Sequence, residues 1–498
     1  MTHPAITKPE LDSYRPHLTT GRSALAITGV LWSSLQTLIP TISAAVVFFI
    51  SAIFLSPADF GLVGLASSVV MTVLAFTPVA FGEALVQRKL LTKAHTDSVF
   101  WLTLFCGALC FLPFAIWATP MATLMGDASI AAVLPVLALR IPLDLAAAVP
   151  NAMIIRSMKF KLIALRTAVA TMISVTICLV MLFAGYGYWA LVASQVSASF
   201  VACAMAYWVA GWRPGITLQW SALRDLFNYG AFASGNRMLA TIKIDHFVLG
   251  VFAGTATLGL FFFARRLYNM LSNLVGGALA SVSLALLSTL QDDREKTQLA
   301  FDMASFLSAA VSMPMFCALA IIAPDLLGLL LDDKWAGAVF PVQAFCVAGV
   351  IASIGVVQAS LIQSQGKTQW WFYYQLGQQA TSVLVILATY RFGLPVLMVA
   401  LMTKTVLLWP VSVVMTAKLL KRSAWHYLAG FRYPVLAALI MACGMVAVSH
   451  IMPDQSQAMR LLVQVIVGIA LYTPVIVFLS RDRIAELRRY LPRKGKPA

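Results

Sequence analysis

The chain has 498 residues, of which 60% are hydrophobic and 11% are charged. Soluble domains carry about 25% charged residues, so this composition excludes a soluble multidomain enzyme. Lysine and arginine together number 35 against 19 aspartate and glutamate residues, which gives a formal net charge of +16. Such an excess is typical of nucleic-acid-binding proteins and also of polytopic membrane proteins with basic cytoplasmic loops, and the positions of the charges distinguish the two.

Fourteen apolar stretches long enough to cross a membrane follow one another along the chain. The polar first 22 residues contain no apolar core followed by a cleavage site, so we expect no cleaved signal peptide. An even number of spans places both termini on the same side of the membrane. The predicted spans are 24–49, 60–82, 98–119, 129–153, 164–184, 188–211, 226–252, 257–286, 301–323, 337–362, 370–389, 394–416, 432–451 and 460–480.

The basic residues are distributed unequally between the two sides of this arrangement. Twenty-six lie in one set of alternate loops and in the terminal segments, and this set includes Arg166 at the start of the fifth span. The opposite loops contain only Lys334, Arg391 and Arg460. Because basic loops are retained in the cytoplasm, we expect both termini to be cytoplasmic and no nucleic-acid partner.

A short internal repeat divides the spans into two blocks of six. The segment FLSPADFGLVGLA at 54–66 aligns with FAGTATLGLFFFA at 252–264, at an offset of 198 residues. Each copy lies between the first and second span of its block, so both blocks have the same orientation. We predict an all-α polytopic membrane protein with about 14 transmembrane helices. Its parts are an N-lobe at 1–217, a C-lobe at 218–418, and a helix pair with a basic cytoplasmic tail at 419–498.

Ionisable residues inside the predicted spans are the candidate functional residues, because a charge in the bilayer is costly. Six bases are accompanied by only two clear acids, so pairing cannot neutralise them all. Guanidinium and ammonium groups both bind phosphate, and we therefore expect a cavity for a diphosphate or another acidic substrate. The bases are Arg140, Arg237, Lys243, Arg265, Arg266 and Lys404, and the acids are Asp144 and Asp245.

Some of these charges have candidate partners within the chain. Arg140 and Asp144 are spaced i, i+4 on one helix, which favours a local salt bridge. Asp245 has a depth similar to that of Arg265, so a pair with Arg265 or Arg266 is an alternative to a role in substrate binding. At most two bases are matched in this way.

Three polar residues share the helix face of Arg265, at i+3, i+4 and i+7. They are Tyr268, Asn269 and Ser272. They are candidates for hydrogen bonds to sugar hydroxyls, and the alternative is ordinary helix–helix contact by small and polar side chains.

Motifs of enzymes and of metal sites are absent from the sequence. It contains no GxSxG, P-loop or HExxH motif, and none of its seven cysteines forms a CxxC pair. We therefore predict that the protein is not an enzyme and has no metal site or cofactor. Proton or sodium coupling stays open.

Two parts of the chain are predicted to contact membrane lipids. Trp370, Trp371, Tyr373 and Tyr374 cluster at the predicted end of a span, which is typical of a membrane–water interface. The C-terminal segment RDRIAELRRYLPRKGKPA is strongly basic, so we expect it to face anionic lipids.

Five segments carry a resemblance to a known family. They are RSMKFKLIAL at 156–165, GYGYWALVASQ at 185–195, WRP at 212–214, LFNYGAFASGNRMLATIKIDHFVLGVFAGTATLGLFFFARRL at 226–267 and APDLLGLLLDDKWAGA at 323–338. In these segments the chain resembles the polysaccharide flippases of the multidrug/oligosaccharidyl-lipid/polysaccharide (MOP) exporter superfamily, the WzxC-like subgroup in particular.

The resemblance implies a two-lobed bundle of the MATE/MOP type with a central cavity that opens alternately to each side. Members move undecaprenyl-diphosphate-linked oligosaccharide repeat units from the cytoplasmic to the periplasmic leaflet of the bacterial inner membrane. Arg265 and Arg266 stand in the family's ARR-type segment, and Asp245 stands in its preceding acidic position. The chain departs from the family in LFFFARR, where phenylalanines replace the tyrosines that are common there.

We therefore predict a flippase for exopolysaccharide or lipopolysaccharide assembly that works by alternating access, with the six intramembrane bases shielding the diphosphate. Asp144 and Asp245 are either structural partners or part of a coupling path. A polysaccharide polymerase and a chain-length regulator are the expected partners, beside the lipid-linked substrate. The alternatives are a multidrug/cation antiporter of the same superfamily and a membrane glycosyltransferase or polymerase.

Overall fold

A computed structural model describes residues 22–88, 91–125, 127–157, 159–227, 230, 234, 244–290, 293–331 and 333–481. Within these ranges all regular elements are helices, which confirms the predicted all-α fold. Ten of the described helical segments are long and apolar enough to cross a membrane, so the chain is a multi-pass membrane protein. The predicted total of about 14 spans is compatible with this number.

The chain forms two compact units, residues 1–259 and 260–498. The lobes predicted at 1–217 and 218–418 and the helix pair at 419–498, which follow from a count of spans, stay predictions. Numbered in chain order over the described residues, the helices of the first unit are α1 (Arg22–Phe54), α2 (Pro57–Ala75), α3 (Phe81–Gln87), α4 (Lys93–Ile116), α5 (Ala118–Met125), α6 (Ile130–Ala138), α7 (Arg140–Ala146), α8 (Ala148–Arg156), α9 (Phe160–Phe183), α10 (Trp189–Ala210) and α11 (Ile244–Ala253).

Helix α12 (Thr255–Thr289) begins at the end of the first unit and continues into the second. A short 3-10 helix at Asp333–Ala338 separates two long helices of the second unit. The remaining helices of that unit are α13 (Arg294–Leu330), α14 (Val339–Ser364), α15 (Thr368–Thr389), α16 (Leu394–Leu420), α17 (Ala424–Ala429), α18 (Arg432–Ile451) and α19 (Gln457–Leu479).

Helix α2 shows how local sequence sets a helix start. The Ser56 hydroxyl accepts a hydrogen bond from the backbone N–H of Asp59, and the Asp59 carboxylate accepts from the Ser56 N–H at 2.9 Å. Pro57 occupies the first helical position, where its missing N–H has no helical partner to lose. The sequence SPAD therefore begins the helix at Pro57.

The fourth predicted span consists of three consecutive helical segments, α6, α7 and α8, within one membrane-crossing stretch. Pro142 and Pro150 lack the N–H groups that would bond to the carbonyls four residues earlier. The carbonyl that Pro150 leaves free, that of Ala146, accepts a hydrogen bond from the Tyr207 hydroxyl at 3.0 Å. The breaks in this span therefore have a local cause and a side-chain compensation.

In the second unit the C-terminal helix pair α18–α19 packs against α13. Arg460 at the start of α19 donates from Nε to both carboxylate oxygens of Asp325, at 3.0 and 2.9 Å, and Asp325 is 7% exposed. The predicted ninth span ends at residue 323, and the helix extends beyond this limit. Asp325 lies within α13, because the helix continues through Pro324.

Candidate functional site

A cavity of about 450 Å³ opens within the first unit, among α2, α3, α7, α8, α9 and α10. Most of its lining is apolar, as expected inside a membrane protein, and six polar or charged side chains face it. They are Glu83, Arg140, Asp144, Asn151, Arg166 and Ser199. Two of the candidate residues from the sequence, Arg140 and Asp144, therefore meet in one cavity.

Arg140 is held by side chains of α10. Its Nη1 donates to Gln195 Oε1 at 2.7 Å and its Nε donates to Ser199 Oγ at 3.3 Å. Asp144 interacts electrostatically with Arg140, and the described residues contain no direct salt bridge between the two of the kind that the i, i+4 spacing favours. Ser67 on α2 donates to the same Gln195 oxygen at 3.2 Å, which links a third helix to this network.

Arg166 is a candidate site residue that the sequence reasoning missed. The charge distribution assigns it to a cytoplasmic loop, and this is wrong, because it belongs to a helical segment long and apolar enough to cross a membrane. It lies six residues after the start of α9, about 9 Å along the helix axis, and it faces the cavity. The apolar residues Ile163, Ala164 and Leu165 immediately before it indicate that the span has already begun.

The contacts of Arg166 leave part of its guanidinium unused. Nη1 donates to Asn151 Oδ1 on α8, and the side chain interacts electrostatically with Asp144. Its Nε is buried and has no hydrogen-bond partner among the residues that the structure describes. Buried N–H groups are ordinarily hydrogen-bonded, and Nε of Arg166 is an exception in the lining of this cavity.

The cavity contains equal numbers of acidic and basic side chains. Arg140 and Arg166 are accompanied by Asp144 and by Glu83, which is exposed on α3. With all four ionised the cavity carries no net charge, so the surplus of bases counted in the spans rests on residues elsewhere in the chain. The arrangement can bind an anion through two arginines and can take up a cation or a proton through two carboxylates.

Arg265 lies in the second unit within an aromatic cluster. Its guanidinium carbon is 5.4 Å from the ring centre of Phe345 and 6.0 Å from that of Tyr268, and its Nε is buried without a described partner. The ring of Tyr268 stacks on Phe316 at 5.7 Å. Tyr268 is thus a partner of Arg265 and of the packing between α12 and α13, and a contact between Tyr268 and sugar stays a prediction.

The other predicted site residues are distributed over several helices. Lys404 on α16 donates to Ser382 Oγ on α15 at 3.0 Å. Arg266 is exposed on α12, where Asn269 and Ser272 are half-buried, and Asp245 belongs to α11. Arg237 and Lys243 lie outside the described residues. That the six bases share one substrate site stays a prediction.

Comparison with known proteins agrees with this architecture. The chain is 25% identical over 305 residues to the succinoglycan biosynthesis transport protein ExoT of Rhizobium meliloti (strain 1021), a match that covers 61% of this chain and 60% of that protein. It is 20% identical to the lipopolysaccharide biosynthesis protein WzxC of Escherichia coli (strain K12), over 70% of this chain and 72% of that protein.

Among solved structures, the lipid II flippase MurJ superposes with a TM-score of 0.72 at 11% identity, over 92% of this chain and all of that protein. The shared fold is thus of the MurJ kind. The model of the family described as polysaccharide biosynthesis protein matches residues 50–340, more than half of the chain. The resemblance seen in the sequence is thereby confirmed, and the chain belongs to this polysaccharide biosynthesis family.

Proposed function

We propose that the protein is a flippase that carries polyprenyl-diphosphate-linked oligosaccharide repeat units across the bacterial inner membrane for exopolysaccharide or lipopolysaccharide assembly. The observation that carries the proposal is the pair Arg140 and Arg166, which face one cavity from separate helices inside the membrane-spanning region. The names of ExoT, WzxC and MurJ support the same class of cargo.

The chemistry of the two arginines suits a diphosphate. Each guanidinium has five N–H donors, and the described contacts use two on Arg140 and one on Arg166. The remaining donors can bind phosphate oxygens in the bidentate manner that arginine favours. In the low effective dielectric of a protein interior, charge-assisted hydrogen bonds of this kind are stronger than in water.

The carboxylates of the same cavity provide a means of coupling. Asp144 interacts electrostatically with both arginines, so an arriving anion and the Asp144 carboxylate compete for the same positive charges. Protonation of Asp144 or binding of a sodium ion there would release the arginines for the substrate. Proton or sodium coupling through Asp144 and Glu83 is therefore part of the proposal.

The remaining features of the proposal concern the cellular setting. Both termini lie in the cytoplasm, in accord with the excess of basic residues in one set of loops. The protein acts as a transporter and not as an enzyme, and it delivers its cargo to a polysaccharide polymerase with its chain-length regulator. The bases Arg265, Arg266 and Lys404 take part in shielding the diphosphate.

The test is export of surface polysaccharide in a strain whose own copy is deleted and replaced by a variant. Arg140→Gln combined with Arg166→Gln removes both charges and keeps hydrogen-bonding groups. We expect export to fall by about tenfold or more, as the loss of charge-assisted hydrogen bonds predicts. The matched control is Arg224→Gln, an exposed arginine away from the cavity, which should export normally.

Further measurements separate the proposal from its alternatives. Equal amounts of each variant in the membrane fraction exclude a folding defect, and full export by the double variant would disprove the site. In proteoliposomes the purified protein should move a fluorescent lipid-linked oligosaccharide. Transport of cationic dyes without movement of that lipid would favour a multidrug antiporter, and sugar transfer by the chain alone would favour a glycosyltransferase.

A further inference from the structure

A second cavity, of about 670 Å³, lies between α15 and α16 in the second unit, and none of its lining residues lines the cavity of Arg140 and Arg166. It is a groove with aromatic, aliphatic and basic parts. Its lining consists of Trp370, Tyr373, Tyr374, Pro410, Val411, Val414, Met415 and Lys418. We call this set the α15–α16 groove.

The two walls of the groove have different chemistry. The first turns of α15 contribute three aromatic rings, and Tyr373 is 68% exposed. On α16, Val411, Val414 and Lys418 follow at intervals of three and four residues, so they share one helix face. Pro410 has no backbone N–H, so the helix has a missing hydrogen bond where this stripe begins.

The basic end of the groove is available to an anionic ligand. Lys418 is exposed on the last turn of α16, and Lys367 lies 6.0 Å from the ring centre of Trp370. Asp302 pairs with Arg422 at 2.7 Å, and no described acidic side chain pairs with Lys418. Both lysines belong to the loops that the charge distribution assigns to the cytoplasm.

The dimensions also favour one kind of ligand. From Pro410 to Lys418 the helix rises about 12 Å, close to the roughly 15 Å of hydrocarbon in one leaflet. A molecule that fills the groove thus has an apolar chain along the valines and aromatic rings, and a negative group at the lysines. Basic pockets between membrane helices on the cytoplasmic side bind anionic lipid head groups.

We propose that the α15–α16 groove is a binding site for an anionic phospholipid of the cytoplasmic leaflet, with its phosphate on Lys418 and Lys367 and one acyl chain against Trp370, Tyr373 and Val414. The site shares no lining residue with the cavity of Arg140 and Arg166. Its occupant is a membrane lipid and not the transported substrate.

The experiment is native mass spectrometry of the full-length protein titrated with phosphatidylglycerol or with phosphatidylcholine of the same acyl chains. Wild-type protein should bind phosphatidylglycerol about 25-fold more tightly, as two favourable lysine–lipid contacts predict. Lys418→Gln should reduce this preference to about fivefold, which is the contribution of Lys367 alone. Lys421→Gln removes the same charge from an exposed lysine outside the lining and should retain the full preference.

A second variant tests the apolar part of the groove. Val414→Trp fills an exposed lining position without a change of charge, and it should weaken binding of both lipids. Equal loss in Lys418→Gln and Lys421→Gln would show a diffuse surface effect and overturn the proposal. Undiminished binding by Val414→Trp would also overturn it. So would displacement of phosphatidylglycerol by equimolar polyprenyl phosphate, because the occupant would then be a substrate-like lipid.

Discussion

Gly61 on α2 and Gly259 on α12 pack directly against each other. A Cβ atom on Gly61 would overlap the carbonyl oxygen of Thr255, and one on Gly259 would overlap the carbonyl oxygen of Pro57. The offset of 198 residues that relates the two repeat segments pairs Gly61 with Gly259 and Pro57 with Thr255. The two copies of the repeat thus meet in a reciprocal contact, which only residues without a side chain allow.

Gly61→Ala and Gly259→Ala should each destabilise the protein. The added methyl group overlaps a backbone carbonyl oxygen, which cannot move away by a side-chain rotation. We expect the free energy of unfolding to fall by about 1–3 kcal/mol, measured by thermal unfolding of the detergent-solubilised protein. The matched control is Gly377→Ala on α15, where the added methyl group meets no atom within 4 Å. Equal stability of Gly61→Ala and Gly377→Ala would contradict the contact.

The hydrogen bond from the Tyr207 hydroxyl to the Ala146 carbonyl should stabilise the fold, because Pro150 has no N–H to donate to the same carbonyl. Tyr207→Phe is expected to cost about 1 kcal/mol of unfolding free energy. In a Pro150→Ala background the restored N–H can satisfy the same carbonyl, so Tyr207→Phe should cost less. A double-mutant cycle of thermal stability measures this coupling, and a coupling of zero would show that the two groups are independent.

The pair Arg460–Asp325 should anchor α19 to α13. Asp325→Asn keeps the shape of the side chain and removes its charge, and we expect a loss of about 1.5–3 kcal/mol in unfolding free energy, because Asp325 is buried. Asp293→Asn on the same helix is the control. Asp293 pairs with Lys296 at 2.7 Å on an exposed surface, and asparagine still caps the helix. An equal loss of unfolding free energy in Asp325→Asn and Asp293→Asn would show that burial of the Asp325 ion pair does not strengthen it.

Asp225 predicts a dependence of stability on pH. A hydrogen bond from the Arg88 guanidinium, 2.8 Å away, holds the pKa of Asp225 below its ordinary value of 3.8. A carboxyl group whose pKa is lower in the folded than in the unfolded state stabilises the fold at every pH above its ordinary pKa. This stabilisation disappears as the pH falls through the lowered pKa.

The measurement compares thermal stability with and without Asp225→Asn, from neutral to acidic pH. Both proteins carry His95→Gln, because His95 lies 3.7 Å from the same carboxylate and titrates itself, while glutamine can still serve at that capping position. The protein that keeps Asp225 should be slightly more stable to heat than the Asp225→Asn variant at neutral pH. This difference in stability should disappear in acid. A difference in thermal stability that persists at the lowest pH would show that the ionised carboxylate of Asp225 does not stabilise the fold.

Arg265 and Arg266 test the proposed transport site in the second unit. With both changed to glutamine, surface polysaccharide should be lost while the folded protein stays in the membrane, because the diphosphate would lose two of its counter-charges. Export is quantified beside Arg224→Gln as the control. Full export by the double variant would remove both residues from the site. A loss of folded protein would instead identify Arg265 as a structural partner of Phe345 and Tyr268.

The sequence by itself determined the class of this protein. Hydropathy along the chain is a local property, so the apolar stretches were sufficient to predict membrane spans. The predicted spans that lie within the described residues are helical. The family segments were equally readable, because they are contiguous runs such as that at 226–267. Arg140 and Asp144 were found by the same local reasoning, since a charge in an apolar run is conspicuous wherever its partners lie.

Only the tertiary structure decided which side chains meet. Arg460 and Asp325 are 135 residues apart, and Arg140 and Gln195 are 55 apart. Such contacts depend on which helix faces pack together, and no local pattern records that choice. The same holds for Arg166, whose role depends on α9 turning it toward Asn151, and for Gly61, whose missing side chain matters only because Thr255 approaches it. The positions of the basic residues behind the net charge of +16 were sufficient to predict the orientation in the membrane. The balance of acidic and basic side chains within one cavity could be found only from the packing of the helices.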